Sequence, residues 1–123
     1  MRISIVVASL NPGAMLQRCL DSIVQQHHGD IEVVVVDGDS RDGTRDLLQR
    51  WKGGENIRFQ WLSEPDSGIA DAWNKASART SGEWVLFLGA DDVLAGPRVL
   101  ARTSSLLTAM KPPNRVVYGQ VAW

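Results

Sequence analysis

Two adjacent carboxylates, Asp91 and Asp92, follow an uninterrupted apolar run from Trp84 to Leu88, with only Gly89 and Ala90 between. Like charges side by side repel, so a folded chain offsets them with solvent, a basic side chain or a cation. A hard divalent cation with oxygen ligands suits such a pair. A solvated turn leading into a helix is the plainer account of the same residues. Three further polar stretches carry comparable potential. Ser9 and Asn11 close one apolar run, and Asp37 opens the loop Asp37-Gly-Asp-Ser-Arg-Asp-Gly-Thr44 after another. In the third stretch, Asp71, Asn74 and Lys75 recur at the i, i+3 and i+4 spacing of one helix face, just after Asp66. That face reads equally well as solvated surface, with Asp71–Lys75 an ordinary exposed pair.

The elements that would position these residues follow from the hydrophobic pattern. Ile3 to Ala8 and Ile31 to Val36, the latter with four consecutive valines, read as buried strands, as does Glu83 to Leu88. Ile57 to Leu62 alternates apolar and polar residues, which places it at an edge. Asn11 and Pro12 offer a cap and first turn for a helix whose apolar stripe is Met15, Leu16, Cys19, Leu20, Ile23 and Val24. Asp42 or Thr44 caps a second helix, and Asp66 or Ser67 a third with Ile69, Ala72, Trp73 and Ala76 on its apolar face. Gly96-Pro97 starts a fourth helix, with Val99, Leu100, Thr103, Leu106, Leu107 and Met110 on its buried side. Val116 to Val121 reads as a fifth strand.

Strands alternating with helices imply right-handed crossovers and a mostly parallel sheet. With the third strand at an edge and the first, second and fourth inside, the order is 3-2-1-4 plus the fifth strand. This is an α/β, Rossmann-like open sheet with helices on both faces. The chain reverses direction between strands 1 and 4, and ligands bind at such a switch point. The order gathers Ser9, Asn11, Asp37, Asp91 and Asp92 on one carboxyl edge.

Bulk properties narrow the function. The 123 residues suit a single domain, 1–123, and the formal net charge of −1 leaves no footprint for nucleic acid. The single cysteine, Cys19, excludes an internal disulfide and reads as an inert core thiol. No apolar run approaches a membrane span, and the strand at the N-terminus leaves no room for a signal peptide, so the expected location is cytoplasmic. Neither Gly-x-Gly-x-x-Gly after the first strand nor a Gly-Lys-Ser/Thr loop is present, which disfavours dinucleotide oxidoreductases and P-loop enzymes.

Ile3-Ser-Ile-Val-Val-Ala-Ser-Leu-Asn11, Val34-Val-Val-Asp-Gly-Asp-Ser-Arg-Asp-Gly-Thr44, Ser63-Glu-Pro-Asp-Ser-Gly-Ile-Ala-Asp-Ala-Trp-Asn-Lys75 and Phe87-Leu-Gly-Ala-Asp-Asp92 resemble four successive motifs of the inverting GT-A-fold glycosyltransferases of family 2, of the type that builds bacterial polysaccharides. They occur in order over nearly the whole chain. The resemblance implies a donor-binding portion that takes a nucleotide-diphospho-sugar and passes the sugar to a carbohydrate or lipid-linked acceptor hydroxyl. It places Ser9 and Asn11 against base and ribose, and gives Asp37 a hydrogen bond from the base. Asp66, Asp71, Asn74 and Lys75 lie beside the nucleotide and diphosphate. Asp91 binds Mg²⁺ or Mn²⁺, with Asp92 supporting it.

Two departures stand out. Gly89 occupies the first position of the family's Asp-x-Asp, and Asp39 replaces the usual second glycine of the second motif, at the risk of straining a tight turn. The resemblance also puts the catalytic base, a carboxylate, beyond Trp123, so activity of this chain alone is in question. A non-catalytic nucleotide-binding or assembly module keeps the fold without the chemistry. A receiver-like phosphoryl-transfer domain would also gather aspartates at the sheet edge, but no phosphoacceptor Asp with a partnering Lys stands out. An open edge beside the fifth strand would suit a homodimer.

Overall fold

The computed structural model describes residues 1–110 and 116–117. Four strands, β1 (Ile3–Ser9), β2 (Ile31–Asp37), β3 (Ile57–Ser63) and β4 (Trp84–Gly89), form one parallel sheet in the order β3-β2-β1-β4. The helices are α1 (Met15–Val24), α2 (Thr44–Arg50), α3 (Ile69–Ser77) and α4 (Val99–Ala109). β1 and β2 are sealed on both faces, as their β-branched runs require.

Alternation along the strands divides the core in two. Ile3, Ile5, Val7, Ile31, Val33 and Val35 pack with Leu16, Cys19, Leu20, Ile23, Leu48 and Leu100, so α1, α2 and α4 cover one face. Val6, Val34 and Val36 meet Ala72 and Ala76 of α3 on the other. The chain steps outward from β1 to β3 along the first face. It then returns through α3 across the second to lay β4 beside β1, which creates the switch point. The small residues Ala72 and Ala76 let α3 lie close to the valines.

Several local expectations are corrected. Asn11 does not cap α1: the helix starts at Met15, and Asn11 has φ 45°. Met15 and Val24, at the ends of the expected stripe, are exposed. The cap positions of α2 and α3 are Gly43 and Gly68, with Asp42 one residue and Asp66 two residues earlier. α4 begins at Val99, after Gly96-Pro97, and Leu106 points outward at 67 % exposure. β4 is the last strand of the sheet among the described residues, with Phe87 half exposed against Trp73, and its expected inner place depends on the fifth strand. The fifth strand, 116–121, falls largely outside the described residues.

A buried polar knot holds the amino ends of the strands. Glu32 in β2 accepts bonds from Ser4 Oγ (2.7 Å), Ser81 N (2.7 Å) and Ser81 Oγ (2.9 Å), and Gly82 N donates to Ser4 Oγ (2.8 Å). Burial alone would raise the Glu32 carboxyl, but these bonds and the nearby Arg2 outweigh it and hold it below its ordinary value. A carboxyl lowered by folding stabilises above its unfolded pKa, and that contribution fades as pH falls through the folded one. Glu32→Gln should therefore lower neutral-pH stability by about 2 kcal/mol and flatten the acid limb of a denaturation-against-pH curve. Gly82 has no room for a side chain, because a Cβ would lie 2.7 Å from Ser4 N and 3.0 Å from Arg2 O. Gly82→Ala should cost about 3 kcal/mol in the same denaturation assay.

Candidate nucleotide-binding site

The sheet register sets the site. Ser9 pairs with Asp37 and Asp37 with Ser63 at the carboxyl ends of β1, β2 and β3, while Ala8 pairs with Gly89 at the end of β4. Asp37 and the Asp91-Asp92 loop thus leave the same rim, with β1 between them.

Asp37 is fully buried, and three donors converge on its carboxylate. Oδ2 accepts from Ser40 N (2.8 Å) and Ser63 Oγ (2.9 Å), and Oδ1 from Ser40 Oγ (2.5 Å). The Ser40 hydroxyl in turn accepts from Asn11 N (2.7 Å), while Asn11 Oδ1 accepts from Arg41 N (2.9 Å). Asp42 Oδ2 accepts from Gly13 N (2.7 Å), and its other oxygen takes the Thr44 hydroxyl and amide. The Thr44 hydroxyl first, then the Gly13 amide, hold the Asp42 carboxyl below its usual range. The loops after β1 and β2 are therefore one hydrogen-bonded unit. Asp39 sits in it at φ 65°, the strained turn expected from its replacement of glycine, and Arg45 reaches its carboxylate at 3.2 Å.

Across this floor lies the loop from β3 to α3. Asp66 Oδ1 accepts from Gly68 N (2.9 Å), and Asp71 Oδ2 from Ser67 N (3.0 Å). Lys75 Nζ meets Glu64 (3.0 Å), Asp71 (3.3 Å) and the Pro65 carbonyl (3.4 Å). Glu64 first, then Asp71, raise the Lys75 ammonium. The Ser67 amide and then Lys75 lower Asp71. Asn74 is exposed on the same helix. A cleft of about 170 Å³ opens between this loop and β1, lined by Ala8, Ser9, Leu10, Asp66, Gly68, Ile69 and Ala72. Ser9 Oγ, buried in its wall, has no hydrogen-bond partner among the described residues. A larger cavity of about 300 Å³ lies away from this rim, beside β4 and α4, with mainly apolar walls.

The Asp91 loop is tied down by α1 and the turn after it. Ser22 Oγ accepts from Leu94 N (3.1 Å), Gln26 Nε2 donates to Gly96 O (2.6 Å), and Gln26 Oε1 accepts from Leu100 N (3.0 Å). Asp91 and Asp92 are exposed and have no ion-pair partner among the described residues. Both crowd over Gly89: a Cβ there would lie 2.8 Å from Asp92 Oδ2 and 2.9 Å from Asp91 Oδ1. Beneath them, burial first and then the charges of Asp92 and Asp91 push the Cys19 thiol up to about 12, which keeps it protonated and inert. No group of three or more His, Cys, Asp or Glu side chains able to hold a metal occurs among the described residues. Two exposed carboxylates without a counter-charge nevertheless fit Mg²⁺ or Mn²⁺, which is commonly held by one or two carboxylates and completed by phosphate oxygens and water.

The rim thus unites Ser9, Asn11, Asp37 and Asp66, and carries Asp91-Asp92 on the far side of β1; Asp71, Asn74 and Lys75 flank it on α3. Ser40 and Ser63, which grip Asp37, escaped the sequence reading. Their signal was register, since Ser63 closes β3 as Asp37 closes β2.

A parallel sheet in the order 3-2-1-4 with flanking helices and a switch point is consistent with a GT-A, Rossmann-like fold. The chain belongs to the family described as Glycosyl transferase family 2, whose model matches residues 4–122. It is 40 % identical over 118 residues to a PGL/p-HBAD biosynthesis glycosyltransferase of Mycobacterium bovis, covering 96 % of this chain and 46 % of the relative. It is 36 % identical over 115 residues to an uncharacterized glycosyltransferase of Mycobacterium tuberculosis, covering 93 % and 43 %. The chain therefore spans less than half the length of these relatives. Among solved structures, Staphylococcus aureus TarS 1–349 superimposes with a TM-score of 0.77 at 25 % identity, over 97 % of this chain and 39 % of that 1–349 chain. Its complex with UDP-GlcNAc superimposes equally well at 26 % identity, over 88 % and 31 %. Among the described residues no helix is long and apolar enough to cross a membrane.

The strain at position 39 gives a direct test. Asp39→Gly should raise stability by about 0.5–1 kcal/mol in urea denaturation, since glycine adopts positive φ freely and the exposed Arg45 contact contributes little. Asp37→Asn should instead lose about 2–3 kcal/mol, because its amide would face converging donors.

Proposed function

We propose that this chain binds the nucleotide-diphospho-sugar donor of an inverting glycosyltransferase, in the synthesis of a polysaccharide or glycolipid. The observation that carries this reading is the shared rim: a sealed polar floor built on Asp37, a cleft bearing a free hydroxyl, and an exposed acidic pair. TarS, which superimposes on this chain, is described in complex with UDP-GlcNAc and with UDP.

In this reading the base and ribose lie against the Ser9–Asn11 and Asp37–Ser40 loops. Asp66, Asp71, Asn74 and Lys75 bound the nucleotide on the α3 side. Asp91, supported by Asp92, would hold Mg²⁺ or Mn²⁺, which when bound neutralises charge on the diphosphate. The chain's own residues do the rest. The loops of β1 and β2, locked together, present a fixed surface that needs little ordering when the donor arrives. The close packing of α3 keeps Lys75 and Asp71 beside the cleft, where their mutual pairing holds both side chains in place. These residues contribute donor binding to the transfer, in which the acceptor oxygen bonds to the anomeric carbon as the bond to the diphosphate oxygen breaks; the carboxylate base that takes the acceptor's proton is not among them.

Titration calorimetry with UDP and with GDP, each with and without Mn²⁺, tests the reading. One of the two should bind, about tenfold more tightly with Mn²⁺, and Asp91→Asn should abolish that gain while leaving metal-free binding intact. Absence of heat with both nucleotides would remove the donor-binding assignment.

A further inference from the structure

We propose that the exposed face of α4, with Arg98, Arg102 and Leu106, is a docking surface for an anionic lipid membrane. The inference goes beyond the donor-binding reading and stands without it. The formal net charge of −1 conceals an uneven distribution. All 14 acidic residues lie at or before Asp92, whereas residues 93–123 carry Arg98, Arg102, Lys111 and Arg115 with no acid among them. Separation of charge along a chain points to a charged partner. Lys111 and Arg115 lie outside the described residues, so the surface is argued from the two arginines of α4.

The helix turns Leu100 and Leu107 into the core and leaves Arg98 at its start, then Arg102, Ser105, Leu106 and Ala109, exposed. Arg98, Arg102 and Leu106 recur at i, i+4 and i+8, so they form one ridge. Neither guanidinium meets a carboxylate among the described residues. Both line a recess of about 220 Å³ with Ala95, Gly96, Pro97 and Val99. Neighbouring guanidinium groups on an acid-free helix suit lipid phosphates, which arginine holds through two parallel bonds. Leu106 favours a lipid surface over an acidic protein. Beside the arginines it adds nothing to the hold on a soluble polyanion, but it can enter the boundary between headgroups and acyl chains. Among the described residues no helix is long enough to cross a bilayer, so the attachment inferred is to its surface.

Cosedimentation with vesicles is the test. The chain should pellet with phosphatidylcholine vesicles containing about one-third phosphatidylglycerol, stay in solution with phosphatidylcholine alone, and be released as salt rises. The double variant Arg98→Gln, Arg102→Gln should bind about 20-fold more weakly, at about fivefold for each basic side chain near an anionic surface. Leu106→Ser should weaken binding about threefold or more. These side chains face solvent, so the melting temperature should not move. Arg50→Gln with Arg58→Gln, on α2 and β3, should bind as the wild type does. No binding to the anionic vesicles, equal binding to the neutral ones, or an equal loss in the Arg50 and Arg58 variant would overturn the proposal. So would soluble polyglutamate held as tightly as the vesicles with Leu106→Ser without effect, which would assign the face to an acidic protein. A chain that binds anionic vesicles but neither UDP nor GDP keeps this surface and loses the donor-binding reading; the converse result does the reverse.

Discussion

The buried carboxylate of Asp37 is the constraint on which the rim depends. A charge withdrawn from water is tolerated only when donors surround it, and here they come from Ser40 in the loop that follows and from Ser63 at the end of β3. Through the Ser40 hydroxyl the same network reaches Asn11, and so the loop after β1. Three strand ends that are remote in sequence are thereby fixed relative to one another before any ligand arrives. The strain at Asn11 and Asp39, both at positive φ, is tolerated because this network determines the backbone around them.

The opposite end of the sheet uses the same device for another purpose. Glu32, Ser4, Ser81 and Gly82 join β1, β2 and the turn before β4 through a carboxylate with three donated bonds. The sheet is thus pinned by a buried acid at each end, with two apolar layers between them. At the carboxyl end, where the chain switches direction, a cleft opens beside the pin. Fold and site are coupled there: α3 crosses to the second face to bring β4 beside β1, and in crossing it delivers Asp66, Asp71 and Lys75.

Much of this was legible in the residues. The valine runs and the alternating third strand gave the order 3-2-1-4, because burial on two faces and on one leave different patterns. What escaped was set by contacts across the sheet. Asn11 looked like a helix cap from its neighbour Pro12, but its side chain is recruited by Arg41 N, a partner that sequence spacing cannot reveal. Phe87 looked buried within an apolar run, yet is half exposed because β4 forms the edge of the described sheet. Leu106 fitted the helical period but lies at the margin of the face that α4 buries. Of the site, Asp37 and Asp91-Asp92 announced themselves as acids at strand ends. Ser40, Ser63 and the role of Gly38 did not, since each matters through a carboxylate it meets only after folding.

The two glycines at the rim share one physical logic. At Gly38 the space of a side chain is entered by Asp66, and at Gly89 by Asp91 and Asp92. In the family's Asp-x-Asp pattern a carboxylate would grow from position 89 itself; here the volume is filled by acids from just beyond it. The first carboxylate of that pattern is thus missing, and the acids crowding its place are the pattern's second, Asp91, and the one after it, Asp92. A side chain rooted at the strand end is aimed by the strand, whereas one folded back from a loop is aimed by that loop's own bonds. At Gly38 those bonds are explicit, because Gly68 N holds Asp66. At Gly89 the corresponding tether is the strand's own amide, 3.2 Å from Asp92 Oδ2. Asp91 has no such tether among the described residues, so of the acids at this rim it is the one free to turn toward a cation without breaking a bond within the protein.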